Sequence, residues 1–304
     1  MNWLARSATL ATALVFALTA VACGSSSSGG TTNKGTITIG GFKFSEGSVL
    51  AELYGQALQH DGYTVNFKLN LGSREVVAPA IKSKQIDLYI GYAATDLEFY
   101  NGGAGEATGD AAATTSKLNS HLQSFSMAAL TPSSAVDQNA FAMTKANAQK
   151  FNATKLSDLA PIGGQLVLGA GPECPQRPFC QPGLQNTYGI HFKEFKALDT
   201  DGPLTRAAFA NGSIQVGLVF SSDADLNQLN LMVLQDDKHL EAADNVVPIV
   251  RTQVATDEVK KVLNAVSAGL TTDELVQLNS QVQLQHQDAD VATKNFLQQH
   301  NYFG

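Results

Sequence analysis

Acid-base, nucleophilic and metal chemistry each need particular side chains at particular spacings, and this chain offers few of them. Its six histidines are scattered, with none at the spacing by which two imidazoles share a metal. No His-Glu-x-x-His helix, Walker-type loop or dinucleotide fingerprint occurs. Gly102-Gly103-Ala104-Gly105 is glycine-rich but does not lead from a strand into a helix, the setting in which such loops cradle phosphate. Ser221-Ser222-Asp223 puts a hydroxyl beside a carboxylate without the Gly-x-Ser-x-Gly elbow that would expose a nucleophile, so it reads as a loop. Of the three cysteines, Cys174 and Cys180 form an even pair, whose default in an exported chain is a disulfide. Zinc would need four nitrogen or sulfur ligands, and no histidine adjoins the pair. So short a loop gains about 2 to 3 kcal/mol from cross-linking, and its main effect is to stiffen the segment Glu173 to Gln181. The sequence thus gives no positive signal for an enzyme, and no catalytic residue, metal or cofactor is expected.

The third cysteine belongs to the leader. Arg6 supplies a positive start, and Ala8 to Ala22 is an apolar run of small residues, short for a membrane span of about 20 residues. Residues 1-22 read as a signal peptide. The run ends Ala20-Val21-Ala22-Cys23-Gly24 and passes into the Ser/Gly tract Ser25 to Gly30, a flexible leash. This resembles the bacterial lipobox, in which the thiol of Cys23 is acylated and residues 23-34 become a tether to the outer face of the membrane. Ala20 stands where that motif usually carries Leu, and cleavage before Cys23 with release of the chain is the alternative. Acyl chains contribute about 0.8 kcal/mol per buried methylene, enough for two or three to hold the protein. A formal net charge of −7 argues against a nucleic-acid partner, whose phosphates would be repelled. The densest basic pair, Lys260-Lys261, reads as a solvated helix face.

The elements that follow are α/β. Thr36 to Ile39 alternates as a strand; Ser45 looks like an N-cap, and Val49, Leu50, Leu53, Tyr54, Ala57 and Leu58 recur at helical spacing until Gly62. A strand over Val65 to Leu71, a helix over Glu75 to Ser83 and a strand over Ile86 to Ile90 continue the series. This β-α-β-α-β order implies a parallel sheet whose ligand positions lie beyond the carboxyl ends of the strands. A Gly/Ala loop and a weak helix to about Ser126 follow. A second α/β series then runs from Asn139: a strand to Thr144, a helix initiated by Ser157, strands at Leu166 to Ala170, near Phe195 and at Val216 to Phe220, and helices around Leu184 and over Pro203 to Ala210. After Val246 to Val250 come only helices, Asp257 to Leu270, Thr272 to His286 and Asp288 to Gln299, which must pack on an existing sheet. The expectation is therefore a lobe 1 of residues 35-138 plus 248-304, a lobe 2 of residues 139-247, and a hinge of two crossings.

Several stretches, in order and over nearly the whole chain after the leader, resemble the osmoprotectant-binding proteins of ABC importers. They are GGFKFSE (40-46), LGSRE (71-75), QIDLYIGYAAT (85-95), QNAFAM (138-143), RPFCQPGLQNTYG (177-189), FSSD (220-223), LQDDKH (234-239) and NVVPIVR (245-251). The family binds glycine betaine, carnitine or choline, and the likeness is greatest to its actinobacterial, ProX-like branch. The resemblance implies the type II periplasmic-binding-protein fold, a monomer, an ABC permease as partner and a small-molecule solute held by several aromatic faces. A trimethylammonium head donates no hydrogen bond, so ring quadrupoles must hold it, whereas a carboxylate tail pairs with the planar fork of an arginine.

Position by position, the resemblance makes Tyr92 a cage residue, Thr95 a solute-contacting hydroxyl and Arg177 the carboxylate anchor. Phe141 and Phe220 stand where cage tyrosines are frequent, and Ser73 is a further polar candidate. Phe42 and Asp244 depart from the pattern, replacing a lysine and a tyrosine found in some members, which favours choline-like cations or a larger, more apolar solute. Without the resemblance, Tyr92 and Phe220 read equally as caps on a core, Phe141 as packing beside a crossing and Arg177 as half of a surface ion pair. Phe42 then reads as core and Asp244 as a solvated turn residue. The competing functions are the same receptor role for a polyol, sugar or phenolic solute, an accessory or sensory lipoprotein with a filled cleft, and an extracytoplasmic hydrolase or transferase that borrows the fold.

Overall fold

A computed structural model describes residues 33-300 and 302; the expected signal peptide, Cys23 and the tether up to residue 32 lie outside the described residues. The alternating segment after them forms β1 (Thr36–Gly40), followed by α1 (Ser45–His60), β2 (Thr64–Lys68), α2 (Arg74–Lys82) and β3 (Leu88–Tyr92). β1 pairs in parallel with β2 and with β3. The periodic stripe of α1, Val49, Leu50, Leu53, Tyr54, Ala57 and Leu58, is buried. Ser45 is not its cap: Phe44 holds that position without a side-chain bond, and the turn closes through the Gly47 amide donating to the Phe44 carbonyl at 3.1 Å. Helix α3 (Ala93–Tyr100), in a stretch to which the sequence reading assigns no element, and α4 (Ala111–Leu122), where a weak helix is expected, then lead to β4 (Met127–Ala129).

The second series is β5 (Asn139–Thr144), α5 (Lys145–Phe151), β6 (Val167–Ala170), α6 (Gln181–Tyr188), β7 (Glu194–Ala197), α7 (Pro203–Ala210), β8 (Val216–Phe220) and β9 (Leu231–Val233). The helix expected at Ser157 is a single 3-10 turn. The α-helix of this region is α5, started by Thr144, whose hydroxyl accepts from the Asn147 amide at 3.2 Å. The chain returns through β10 (Val246–Arg251) to α8 (Asp257–Gly269), α9 (Thr272–Gln283) and α10 (Ala289–Gln299).

Two five-stranded sheets result, β2-β1-β3-β10-β4 and β7-β6-β8-β5-β9. In each, three parallel strands are flanked by one antiparallel strand, β10 or β5, and that strand is the one that arrives from the other sheet. Val246 and Val247, which the sequence reading leaves in lobe 2, pair with Tyr92 and Gly91, because the wholly buried β3 needs backbone partners along its length. Residues of α8, α9 and α10, among them Leu263, Leu278 and Leu297, share one core with β1, β3 and α1. The second sheet buries its two faces separately, Phe141, Met143 and Leu218 on one and Ala142, Phe209 and Val219 on the other, as strand alternation requires. The two crossings run side by side: the Asp137 amide donates to the Asp244 carbonyl at 3.1 Å and Val246 to Ala135 at 3.0 Å. This is the two-lobe α/β fold of periplasmic binding proteins.

Candidate functional site

Each parallel strand of either sheet ends at one cavity of about 400 Å³. Phe42 and Phe44 follow β1, Arg74 follows β2 and Tyr92 ends β3, while Glu173 follows β6, Thr200 follows β7 and Phe220 ends β8. The crossings add Asp137, Asn139 and Asp244. Carboxyl ends of parallel strands are where open α/β sheets place ligands, because the loops there are free to vary while the strands fix their bases.

The wall is aromatic. Phe42 and Phe44 stack with ring centres 5.6 Å apart, Tyr92 lies 6.3 Å from Phe42, and Phe44 meets Phe220 of the other sheet at 5.0 Å. The Arg74 guanidinium sits over the Phe42 ring at 5.4 Å. Phe141 does not line this cavity. Its side chain is buried in the second core, because it lies one strand repeat deeper than Asn139, which does reach the cleft.

Behind the rings lies a buried polar layer. The Tyr92 hydroxyl donates to Glu46 Oε1 at 2.6 Å, and Glu46 Oε2 accepts from Ser222 Oγ at 2.5 Å and Asn279 Nδ2 at 2.6 Å. Glu46 thus ties α1 to the loop after β8. Burial raises the Glu46 carboxyl despite these three bonds, and burial, with the charges of Glu46 and Asp223, raises Asp137 well above the usual range. Asp244 is buried and accepts from the Thr95 amide at 2.8 Å and from the Thr95 hydroxyl. Burial pushes its carboxyl up to about 6, against the hydrogen bonds that pull it down.

These shifts set a sign for stability against pH. A carboxyl raised on folding contributes stability in full below its unfolded value and loses it as pH rises through the folded one. Between about pH 4.5 and 6 the carboxylates held low by their partners, such as Glu75 at about 2, are already ionised in both states. Asp244, Glu46 and Asp137 act in that window together with the other carboxyls that burial raises, Glu52, Asp201, Asp223 and Glu241, and urea unfolding is expected to show stability falling as pH rises across it. The full rise of Asp244 to about 6 amounts to about 3 kcal/mol, of which about half is lost inside this window. An Asp244→Asn protein with the same slope would remove Asp244 from this account.

Of the residues singled out in sequence, Phe42, Ser73, Tyr92, Thr95, Arg177, Phe220 and Asp244 line the cavity. Thr95 and Asp244 satisfy each other across the end of β3, so Asp244 is a buried acceptor rather than a solvated turn residue. Arg177 donates to Glu75, Nε to Oε1 at 3.2 Å and Nη2 to Oε2 at 2.8 Å, across the two lobes. Cys174 and Cys180 are joined as a disulfide in the turn that carries Arg177. Sequence reasoning missed Phe44, Arg74 and Asp137. Phe44 had a signal, since it lies in the same glycine-led loop as Phe42; Arg74 and Asp137 had none, because their roles depend on Asp96 and on the neighbouring crossing.

Comparison with known proteins accords with this geometry. Residues 35–299 match the family model described as the substrate binding domain of ABC-type glycine betaine transport systems. A glycine-betaine-binding protein of Pseudomonas aeruginosa is 28% identical, over 99% of this chain and 96% of its own. A carnitine transport binding protein of Listeria monocytogenes is 25% identical, over 90% of each. Among solved structures, a glycine betaine/carnitine/choline ABC transporter protein superposes with a TM-score of 0.67 at 22% identity, over 88% of this chain and 100% of that one. The family and these relatives are transport substrate-binding proteins, and such proteins of ABC importers are extracytoplasmic. With two lobes, paired crossings and an aromatic cleft at the strand ends, the chain belongs to the family of substrate-binding domains of ABC-type glycine betaine transport systems.

Proposed function

We propose that the chain captures a small quaternary ammonium cation in this cleft, of the choline, glycine betaine or carnitine class, and delivers it to an ABC permease. One observation carries the reading: Phe42, Phe44 and Tyr92 from one lobe and Phe220 from the other line a single cavity in which Asp137 and Asp244 are buried. Ring faces attract a cation that cannot donate hydrogen bonds, and do so most strongly when water is excluded. Solute contacts on both lobes favour the state in which the lobes approach, and a permease would recognise that state. The lobes on this reading are residues 35-138 with 246-304, and residues 139-245. Acylation of Cys23 would hold the receptor, as a monomer, at the outer face of the membrane.

Calorimetric titration tests the solute class with choline and 3,3-dimethylbutanol, in which carbon replaces the charged nitrogen. Choline is expected to bind about thirtyfold more tightly, equivalent to about 2 kcal/mol of desolvated cation-ring attraction. Equal affinity for the two, or no binding of choline, glycine betaine or carnitine at millimolar concentration, would overturn the reading.

A further inference from the structure

We propose that Glu75 is a built-in substitute for a solute carboxylate: by filling the fork of Arg177 across the two lobes, it biases the cleft toward cations that carry no carboxylate. The inference rests on the quaternary ammonium reading above. Glu75 sits in the first turn of α2 in lobe 1, and Arg177 follows Cys174 in lobe 2. Two nearly matched bonds, 3.2 and 2.8 Å, join them, the arrangement in which a guanidinium takes a carboxylate group. The Ser73 hydroxyl fixes Glu75 Oε2 at 2.6 Å, so the acid is held rather than free to swing. On the remaining edge, Arg177 Nη1 lies 3.6 Å from Glu173.

Among the described residues no other planar fork is open in the cleft. Arg74 is engaged by Asp96, with Nε donating at 2.7 Å, and its charge lies over Phe42. Lys43 is the third cation of the lining; it is exposed and offers a hydrated point charge, not a fork. Asp137, Glu173, Asp199 and Asp244 meanwhile line the same cavity. A solute bearing a carboxylate must displace Glu75 to be held by Arg177, and must approach these acids to do so. A cation without one leaves the Arg177–Glu75 pair in place, and that pair also joins the lobes.

The test uses the purified protein with choline and glycine betaine as probes. Replacing Glu75 with alanine loosens the lobes for either probe but frees Arg177 only for the second. The ratio of the two dissociation constants is therefore expected to move toward glycine betaine by about tenfold, or 1.4 kcal/mol. Glu75→Gln, which keeps the volume and loses the charge, carries the same expectation should the alanine form fail to fold. The double variant Glu75→Ala/Arg177→Ala is expected to show no such shift. Without any solute, small-angle scattering is expected to give a larger radius of gyration for Glu75→Ala than for the native protein. If both probes bind and the ratio stays within threefold, the specificity claim is overturned while the solute class stands. An unchanged radius overturns the clasp. If neither probe binds the native protein, the solute reading falls and the specificity claim with it, and the radius then shows separately whether the pair holds the lobes.

Discussion

Replacing Asp96 with alanine is expected to lower the unfolding free energy by about 3 to 5 kcal/mol, the usual cost of leaving one member of a buried ion pair alone. Asp96 has no exposed surface and Arg74 has 5%. The carboxylate accepts from Arg74 Nε at 2.7 Å, from the Tyr89 hydroxyl at 2.9 Å and from the Tyr92 amide at 2.8 Å. Its removal strands a buried guanidinium and the Tyr92 amide at the base of the cleft, and leaves the Tyr89 hydroxyl only its contact with the Tyr100 hydroxyl at 3.2 Å. For a chain of this size about 2 to 4 °C of melting temperature accompanies each kcal/mol, so a drop of roughly 10 °C is expected by calorimetry. A change below about 1 kcal/mol would show that the pair contributes little beyond its own desolvation. Gly91 belongs to the same device: a Cβ there would lie 2.1 Å from Asp96 Oδ2. Gly91→Ala should accordingly push the acid off its donors and destabilise in the same direction.

The second large effect separates Phe44, to which the sequence reading assigns no role, from Phe141, which stands there as a cage candidate. Phe44→Ala is expected to weaken choline binding by tenfold or more, because it removes the ring that bridges Phe42 and Phe220, with a loss of about 1 to 2 kcal/mol for each desolvated cation-ring contact. Its cost in stability is modest, since the ring is only half-buried. Phe141→Ala is expected to behave in the opposite way: a loss of about 3 to 5 kcal/mol on unfolding from the cavity it leaves, with choline affinity within threefold of native where the protein remains folded. Calorimetry and denaturant titration on the two variants decide the matter. A Phe141 variant that stays stable but loses its solute would return that residue to the site.

The contrast between these two residues shows what the sequence could and could not reveal. Helix periodicity, strand alternation and, for β8, a short apolar run buried on both faces located β1, α1, α7 and β8 closely. They could not separate Phe141 from Phe220. Both lie in strands, and only the direction of the strand decides which end meets the cleft: Phe220 ends β8, whereas the cleft meets β5 at its beginning. Helix α3 escaped notice because it leaves β3 with no intervening turn and buries Asp96 and Glu98, so its pattern lacks an apolar stripe. Arg177 was legible as a guanidinium near the site, but its partner was not. Glu75 lies in another lobe, and no local rule brings residues so distant in sequence together.

The second lobe interrupts the first, and this has a consequence for how a nascent chain matures. When synthesis or export proceeds from the amino end, β3 has β1 on one side and nothing on the other until all of lobe 2 has emerged and β10 follows. Every residue of β3 is buried in the finished protein, so for that interval an apolar strand stands with an open edge, the situation that invites mispairing between chains. Lobe 2, by contrast, has all five of its strands in hand before β10 appears. The later lobe along the chain is thus the first to be complete, and it closes the loop that brings the last strand back beside the third.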